Sequence, residues 1–221
     1  DTVILMEDVG DYRMGDQVAG CTIDEAKVIL SAVAPVHAKF WGKVEQNKQF
    51  WDTIPHVDGD MNTNAMTAGA TAGWDIVNER FPGAITPALE AKKDLFIGHL
   101  RELHERMGKL PKTIIHGDCR LDNMMFAREK GQFPVLLLDW QGLLVSTGLQ
   151  DVAYLLTQNL DPTLRRRHEH DLVKHYHSEL VKHGVKAYSL EQCWNDYRTA
   201  ALYLFVYALV ISGTLDPSTD R

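Results

Sequence analysis

The chain has 221 residues, 45% of them hydrophobic, which is enough for one substantial core or two modest ones. Its 23 Lys and Arg against 30 Asp and Glu give a formal net charge of −7, so a nucleic-acid partner is not expected. Three widely spaced cysteines without a C-x-x-C pair predict neither disulfides nor zinc, and favour a cytoplasmic location. The longest apolar run, Ala200 to Ile211, is far shorter than the ~20 residues that span a bilayer, so membrane insertion is not expected.

The first third of the chain predicts one strand and one clear helix. The opening TVILMED has the pattern of a buried strand. Thr22 followed by Glu25 forms a capping box, and apolar residues then recur at helical spacing as far as Trp41, with Pro35 as a kink. Residues 50–81 are rich in small and polar side chains and predict only short helices or loops.

The rest of the chain alternates between helices and short strands. Thr86, with Pro87 at the first helical position, starts a helix that is predicted to run to Gly108. TIIH, NMMFA and PVLLLDW then have the pattern of strands, the last two joined as a hairpin. Three further helices follow, the second capped by Asp161 and the third by Ser189. The predicted fold class is therefore α+β and mostly α-helical, with a small central β-hairpin.

A cluster of polar residues lies at the ends of these predicted strands. Asp118 follows TIIH, Asn123 lies five residues further on, and Asp139 ends the apolar run VLLLD. A carboxylate at the end of an apolar strand needs a strong partner, and a divalent metal ion is the usual one. The hairpin would bring Asn123 and Asp139 together as metal ligands and leave Asp118 free at the tip of the loop. Phosphoryl transfer needs such a set: a carboxylate for the nucleophile and ligands for Mg²⁺.

The same residues carry a family resemblance. HGDCRLDN followed by LLLDWQ resembles the H-G-D-x-x-x-x-N and I-D-W/F signatures of the aminoglycoside phosphotransferase and choline kinase superfamily, and ILMEDVG and DWQG look most like its ecdysteroid-kinase-like and bacterial members. The resemblance implies that Asp118 is the catalytic base and that Asn123 and Asp139 hold the metal. It also implies that His116 braces the catalytic loop and that Asp151 anchors it through backbone hydrogen bonds.

The resemblance extends over essentially the whole chain as the C-terminal lobe of a protein-kinase-like fold. It divides the chain into a hinge strand, residues 1–9, and a helical lobe, residues 10–221. Within that lobe, residues 10–82 would form the substrate side and residues 113–140 the catalytic β insertion. These boundaries place the polar cluster in the insertion.

The segment LMEDV resembles the hinge that holds adenine in such kinases. Glu7, Asp8 and Val9 would bind the nucleotide, with Met6 behind it. The sequence contains no glycine-rich phosphate-binding loop and no strand lysine with a glutamate partner, which belong to the N-terminal lobe of the family. We therefore expect such a lobe to precede the chain, and expect residues 1–221 alone to transfer no phosphate.

The leading functional prediction is an ATP- and Mg²⁺-dependent phosphotransferase that acts on a hydroxyl of a small molecule. The alternative is a catalytically inactive nucleotide-binding or scaffold protein. The intact set of Asp118, Asn123 and Asp139 favours the enzyme. The acceptor stays open, because residues 10–82 are acidic enough for a cationic ligand while their tryptophans would suit a flat apolar alcohol.

Several other residues allow a structural and a functional interpretation. Arg120 could contact a phosphate or pair with a carboxylate, with equal weight. Cys119 is expected to pack rather than react, and Trp140 to lie in the core. The histidines between His168 and His177 form two H-x-H pairs, but residues two apart on a helix diverge, so a solvated face is favoured over a metal site.

Overall fold

The computed structural model describes residues 3, 5, 7–43, 46 and 48–214, without the side chains of Lys48 and Phe50. This part of the chain is mostly helical. Its helices are α1 Ile23–Phe40, α2 Lys48–Trp51, α3 Asp60–Arg80, α4 Pro87–Glu90, α5 Lys93–Gly98, α6 Leu100–Gly108, α7 Leu149–Gln158, α8 Pro162–Lys182 and α9 Leu190–Thr214. Its strands are β1 Tyr12–Met14, β2 Thr113–Ile115, β3 Met124–Ala127, β4 Val135–Leu137 and β5 Leu144–Ser146. No helix in the described part combines the length and apolarity needed to cross a membrane.

The strands form two small antiparallel sheets. One has the order β1-β3-β4 and the other pairs β2 with β5. In the first, Met125 lies opposite both Met14 and Leu136; in the second, Ile114 lies opposite Val145. The strands predicted from TIIH, NMMFA and PVLLLDW form, and the last two pair as an antiparallel hairpin, whereas the short strands β1 and β5 were not predicted. The second sheet brings residues 144–146 back beside Thr113–Ile115, where the predicted β insertion begins.

The opening segment differs from the strand predicted for residues 1–9. Its described residues, at positions 3, 5 and 7–9, form no strand, and the other four positions lie outside the described residues. Val3 and Leu5 are 90% and 98% exposed. A turn follows, in which the Tyr12 N–H donates to the Val9 carbonyl at 3.0 Å, and β1 begins only there. The described residues before this turn have no neighbouring strand to pair with, whereas β1 pairs with β3.

Helix α1 forms as its sequence predicts. The Thr22 side chain accepts from the backbone N–H of Glu25 at 3.2 Å, and the Glu25 carboxylate accepts from the backbone N–H of Thr22 at 2.9 Å. Pro35 lies inside the helix, which continues to Phe40. One face of α1 packs against α8 and β2, so this helix runs beneath the strand that leads into the polar cluster.

Helix α3 corrects the prediction of short helices or loops for residues 50–81. It runs unbroken through Asp60–Arg80 and packs along α9. The small residues that made this segment look irregular lie at the contact: a Cβ on Gly73 would lie 2.2 Å from the Leu209 carbonyl oxygen, and one on Gly213 would lie 2.7 Å from the Gly73 Cα. The close approach of two backbones therefore explains the glycines, and burial of Trp74 beside them stabilises the helix.

The helix predicted from Thr86 to Gly108 is divided into α4, α5 and α6. The cap is confirmed, since Thr86 Oγ1 accepts from the Leu89 N–H at 3.3 Å. After it, the Glu90 carboxylate accepts from Trp74 Nε1 at 2.8 Å and from Asn78 Nδ2 at 2.9 Å. These contacts hold α4 against α3, so the segment does not form the single continuous helix that its sequence pattern predicts.

The histidines of α8 do not simply form a solvated face. His175 Nε2 lies 2.8 Å from the Ser31 hydroxyl of α1, and His177 Nε2 donates to the Tyr188 carbonyl at 2.8 Å. These two side chains therefore join α8 to its neighbours. Among the residues that the structure describes, no group of three or more His, Cys, Asp or Glu side chains is arranged to hold a metal ion.

Candidate active site

The loop between β2 and β3 is fixed through its backbone by a buried carboxylate of α7. Asp151, 1% exposed, accepts from the backbone N–H of His116 at 2.7 Å and of Gly117 at 3.0 Å. Such charge-assisted bonds are stronger than bonds between neutral groups. These are the contacts that the resemblance implies for Asp151, and they set the position of the residue that follows, Asp118.

A buried histidine of α1, which the sequence did not single out as a site residue, completes this anchor. His37 Nε2 donates to the Asp151 carboxylate at 3.3 Å, and its Nδ1 lies 2.8 Å from the Tyr176 hydroxyl. Burial raises the pKa of Tyr176 well above its usual value, so the phenol keeps its proton and can donate to the imidazole. The only sequence signal for His37 was a polar residue on the apolar face of an amphipathic helix.

His116 holds the loop against the strand end that precedes Asp139. Its Nε2 donates to the Leu138 carbonyl at 2.7 Å, and its Nδ1 accepts from the Asp118 backbone N–H at 3.3 Å. Its ring lies 4.7 Å from that of Trp140. Gly117 has φ +82°, and a Cβ there would lie 2.0 Å from the Gly142 carbonyl oxygen, so a side chain cannot fit at this position.

Asp118 is not the free carboxylate that the sequence predicted. Asn123 Nδ2 donates to its Oδ2 at 2.8 Å, and Arg120 Nε lies 3.3 Å from the same oxygen as an ion pair without hydrogen-bond geometry. Burial and, to a smaller extent, the negative charge of Asp118 raise the pKa of the nearby Tyr154 phenol. The side chain of Asp118 is 31% exposed, so it remains open to a ligand. Of the two interpretations of Arg120, the structure shows the pairing with a carboxylate.

Asn123 and Asp139, the predicted metal ligands, lie at neighbouring ends of the β3–β4 hairpin. The Leu138 N–H donates to the Asn123 carbonyl at 2.8 Å, which brings Asp139 beside the start of β3. Asp139 is exposed, and its backbone adopts the left-handed conformation with φ 59° and ψ 65°. Its Oδ2 accepts from Gln141 Nε2 at 3.1 Å. Asp tolerates this conformation better than most residues, and backbone strain of this kind clusters at functional sites.

The donor atoms of these residues fit Mg²⁺. Carboxylates and an amide oxygen are its preferred protein ligands, and Mg²⁺ sites use only one or two carboxylates because water and substrate phosphates complete the coordination. Asn123 Nδ2 is directed at Asp118, which leaves the amide oxygen as the atom to face a cation. A site of this composition would not contain the three carboxylate, imidazole or thiolate groups of a protein-only metal centre.

A cleft of about 610 Å³ opens over Asp118. The loop and α7 supply one side of it, and the last turns of α9 supply the other. Its lining residues are Gln17, Gly117, Asp118, Arg120, Tyr154, Gln158, Tyr207, Ala208, Ile211 and Ser212. Among the described residues of 10–82, the predicted substrate side, only Gln17 lines this cleft. The contribution of α9 was not predicted from the sequence.

The second half of the loop is held by Asn159, another residue that the sequence did not indicate. Its Oδ1 accepts from the Leu121 N–H at 2.9 Å, and its Nδ2 lies 3.5 Å from the Cys119 carbonyl oxygen. Cys119 itself is 1% exposed, and burial raises the pKa of its thiol well above the usual value. These observations support packing rather than reactivity for Cys119.

The predicted nucleotide-binding residues lie before β1. Met6 is outside the described residues; Glu7 and Asp8 are exposed and Val9 is half-buried. The Asp8 carboxylate accepts from the Gly10 N–H at 2.9 Å, which stabilises the turn into β1. Their assignment to adenine remains a prediction.

Of the comparisons with known proteins, the one with family models gives a match. The model of the family described as "Ecdysteroid kinase-like family" matches residues 1–187. No curated protein and no solved structure matches the chain. The matched residues include the loop, the β3–β4 hairpin, α7 and α8, and so cover most of the geometry described above.

Proposed function

Because the chain belongs to the ecdysteroid kinase-like family, a group of kinase-like phosphotransferases, we propose that it moves the γ-phosphate of ATP to a hydroxyl of a small molecule in a Mg²⁺-dependent reaction. The observation that carries this proposal is the position of Asp118. Its carboxylate lines a cleft large enough for a small organic molecule, on a loop whose backbone is held by a buried aspartate. A partly open carboxylate on a fixed backbone is suited to orient a hydroxyl for attack.

In the proposed reaction, Asp118 accepts the proton of the acceptor hydroxyl while the acceptor oxygen bonds to the γ-phosphorus. The bond between that phosphorus and the bridging oxygen of ADP breaks, and the electron pair leaves with ADP. Asn123 contributes to both parts of the site, because its Nδ2 holds Asp118 and its Oδ1 is available to a cation. Arg120, beside Asp118, can turn its guanidinium toward incoming phosphate oxygens.

Asn123 and Asp139 would hold Mg²⁺ through their side-chain oxygens. When bound, the ion would neutralise charge on the nucleotide phosphates. Glu7, Asp8 and Val9, with Met6 behind them, would hold the adenine end of the nucleotide. The exposed position of Asp139 supports this assignment, since a nucleotide can reach it.

The lining of the cleft supports an uncharged acceptor over a cationic one. Asp118 is the only carboxylate among the described residues that line the cleft, and it is already paired with Arg120. Tyrosine rings and the side chains of Ala208 and Ile211 supply apolar surface, and two glutamines and Ser212 supply hydrogen-bonding groups. The described acidic side chains of residues 10–82, which suggested a cationic ligand, do not line this cleft.

A metabolite screen tests the proposal. The protein at its natural full length is incubated with Mg-ATP and a library of hydroxylated metabolites, and phosphorylated products are detected by mass spectrometry, with Asp118→Asn as the blank. We expect at least one phosphate ester that the variant does not form. Nucleotide binding by calorimetry without any product across the library would instead favour the inactive nucleotide-binding protein.

A further inference from the structure

The segment that follows β1 lies against the turn that carries Asn123. The Gly15 N–H donates to the Met124 carbonyl at 2.8 Å, and the Gln17 N–H donates to the Asp122 carboxylate at 2.9 Å. Met124 and Asp122 are the two chain neighbours of Asn123. The chain is therefore held by hydrogen bonds on both sides of this proposed metal ligand.

We call residues 15–17 the clasp. The clasp approaches the turn very closely at its first residue, because a Cβ on Gly15 would lie 2.4 Å from the Leu121 carbonyl oxygen, which leaves no room for a side chain. Strand β1, which leads into the clasp, pairs with β3. The start of the clasp is thus fixed to the hairpin through the backbone.

The other end of the clasp is held by a side chain. Asp122 is exposed, so its side chain contributes little by packing, yet it bonds to Gln17 across 105 positions of the chain. Asn123, the next residue, is 6% exposed, and its Nδ2 is directed at Asp118. The bond at Asp122 therefore restrains the short turn Leu121–Asn123, from which the Asn123 side chain projects.

We propose that Asp122 is a positioning residue, which holds the clasp and so keeps the amide oxygen of Asn123 facing the cation. The proposal rests on the proposed function of Asn123 as a ligand of Mg²⁺. Residues that orient metal ligands commonly change metal affinity by about 10- to 100-fold when they are replaced.

Two replacements of Asp122 separate positioning from electrostatic attraction. Asp122→Asn keeps an oxygen that can accept from the Gln17 N–H but removes the negative charge. Asp122→Ala removes both the oxygen and the charge. Positioning through the hydrogen bond predicts that Asn rescues the function of this residue and that Ala does not.

Hydrogen exchange of single backbone amides, followed by NMR on the protein at its natural full length, tests the contact without any activity. The Gln17 N–H should exchange at least about tenfold faster in Asp122→Ala and stay within about threefold of wild type in Asp122→Asn. The Val18 N–H is the matched control, because it belongs to the same segment but donates to the Asp16 carboxylate at 2.9 Å. An unchanged Gln17 rate in Asp122→Ala, or an equal acceleration at Val18, would overturn the proposal.

Metal binding tests the role. Mn²⁺, a substitute for Mg²⁺ that is detected by electron paramagnetic resonance, is titrated with ADP present into wild type, both Asp122 variants and the exposed control Asp171→Ala. Melting temperatures show that the variants fold. Asp122→Ala should bind Mn²⁺ at least about tenfold more weakly than wild type, and the other two variants should stay within about threefold. Equal losses in Asp122→Asn and Asp122→Ala, or an unchanged affinity in Asp122→Ala, would overturn the proposal.

Asn123→Ala distinguishes a failure of this proposal from a failure of the proposed function. This variant should weaken Mn²⁺ binding at least as much as Asp122→Ala does. If Asn123→Ala loses affinity and Asp122→Ala keeps it, only the positioning role of Asp122 fails. If Asn123→Ala keeps the wild-type affinity, Asn123 is not a metal ligand, and the positioning role fails with that part of the proposed function.

Discussion

Replacing Asp151 with Asn should strongly destabilise the protein, although the two side chains have nearly the same shape. The Asp151 carboxylate accepts from two buried backbone N–H groups, those of His116 and Gly117. Asparagine offers one acceptor oxygen and one NH₂ group, so one of these N–H groups would face another donor. A buried N–H without an acceptor costs about 1–3 kcal/mol, and the remaining bond loses the roughly 1 kcal/mol that the charge adds.

The free energy of unfolding should therefore fall by about 2–4 kcal/mol, which corresponds to about 4–16 °C in the melting temperature of a protein of this size. Urea unfolding of wild type and variant measures the difference directly. Asp171→Asn is the matched control, since Asp171 is exposed on α8 and its replacement should change stability by less than about 0.5 kcal/mol. A loss below about 1 kcal/mol in Asp151→Asn would show that the carboxylate does not hold the loop.

Two further predictions concern the metal and the pH dependence of stability. Asp139→Asn keeps a residue that tolerates φ 59° but removes the negative charge. The affinity for Mg-nucleotide, measured by calorimetry, should therefore fall at least about tenfold, while the metal-free melting temperature should change by less than about 2 °C. An unchanged affinity would show that Asp139 is not a ligand of the metal. Burial raises the pKa of the Cys193 thiol from 9.0 to about 12. Above pH 9 the folded state therefore keeps a proton that the unfolded state loses, and the free energy of unfolding should fall by up to about 1.4 kcal/mol per pH unit. Urea unfolding between pH 8 and about 10 should show a shallower decline in Cys193→Ala; equal slopes would contradict the assignment.

The features that the sequence predicted well are local ones. The capping box of α1 needs only Thr22 and Glu25, and the β3–β4 hairpin needs two apolar runs separated by a turn. The spacing of Asp118, Asn123 and Asp139 also lies within one short segment. Patterns of this kind can be recognised in the sequence alone, because the residues that interact are close together in the chain. The structure places Asp118, Asn123 and Asp139 around one hairpin.

The features that the sequence did not predict depend on contacts between distant segments. His37 meets Asp151 across 114 positions of the chain, and Asn159 meets Leu121 across 38. Neither residue has a local signature, because a buried histidine or asparagine looks the same whichever partner it finds. The close packing of Gly73 on α9 likewise favours the long helix α3, in a segment whose sequence has only a weak helical pattern.

The proposal that Asp118 is the base of a phosphotransferase is tested most directly by one ratio of rates. Once an acceptor is known, kcat is measured for the full-length wild type, for Asp118→Asn and for the exposed control Asp171→Asn, with melting temperatures to confirm folding. The account predicts that Asp118→Asn lowers kcat by about 10² to 10⁴, the usual contribution of a positioned general base, and that the control retains the wild-type rate. A folded Asp118→Asn variant with a kcat within about twofold of wild type would contradict it.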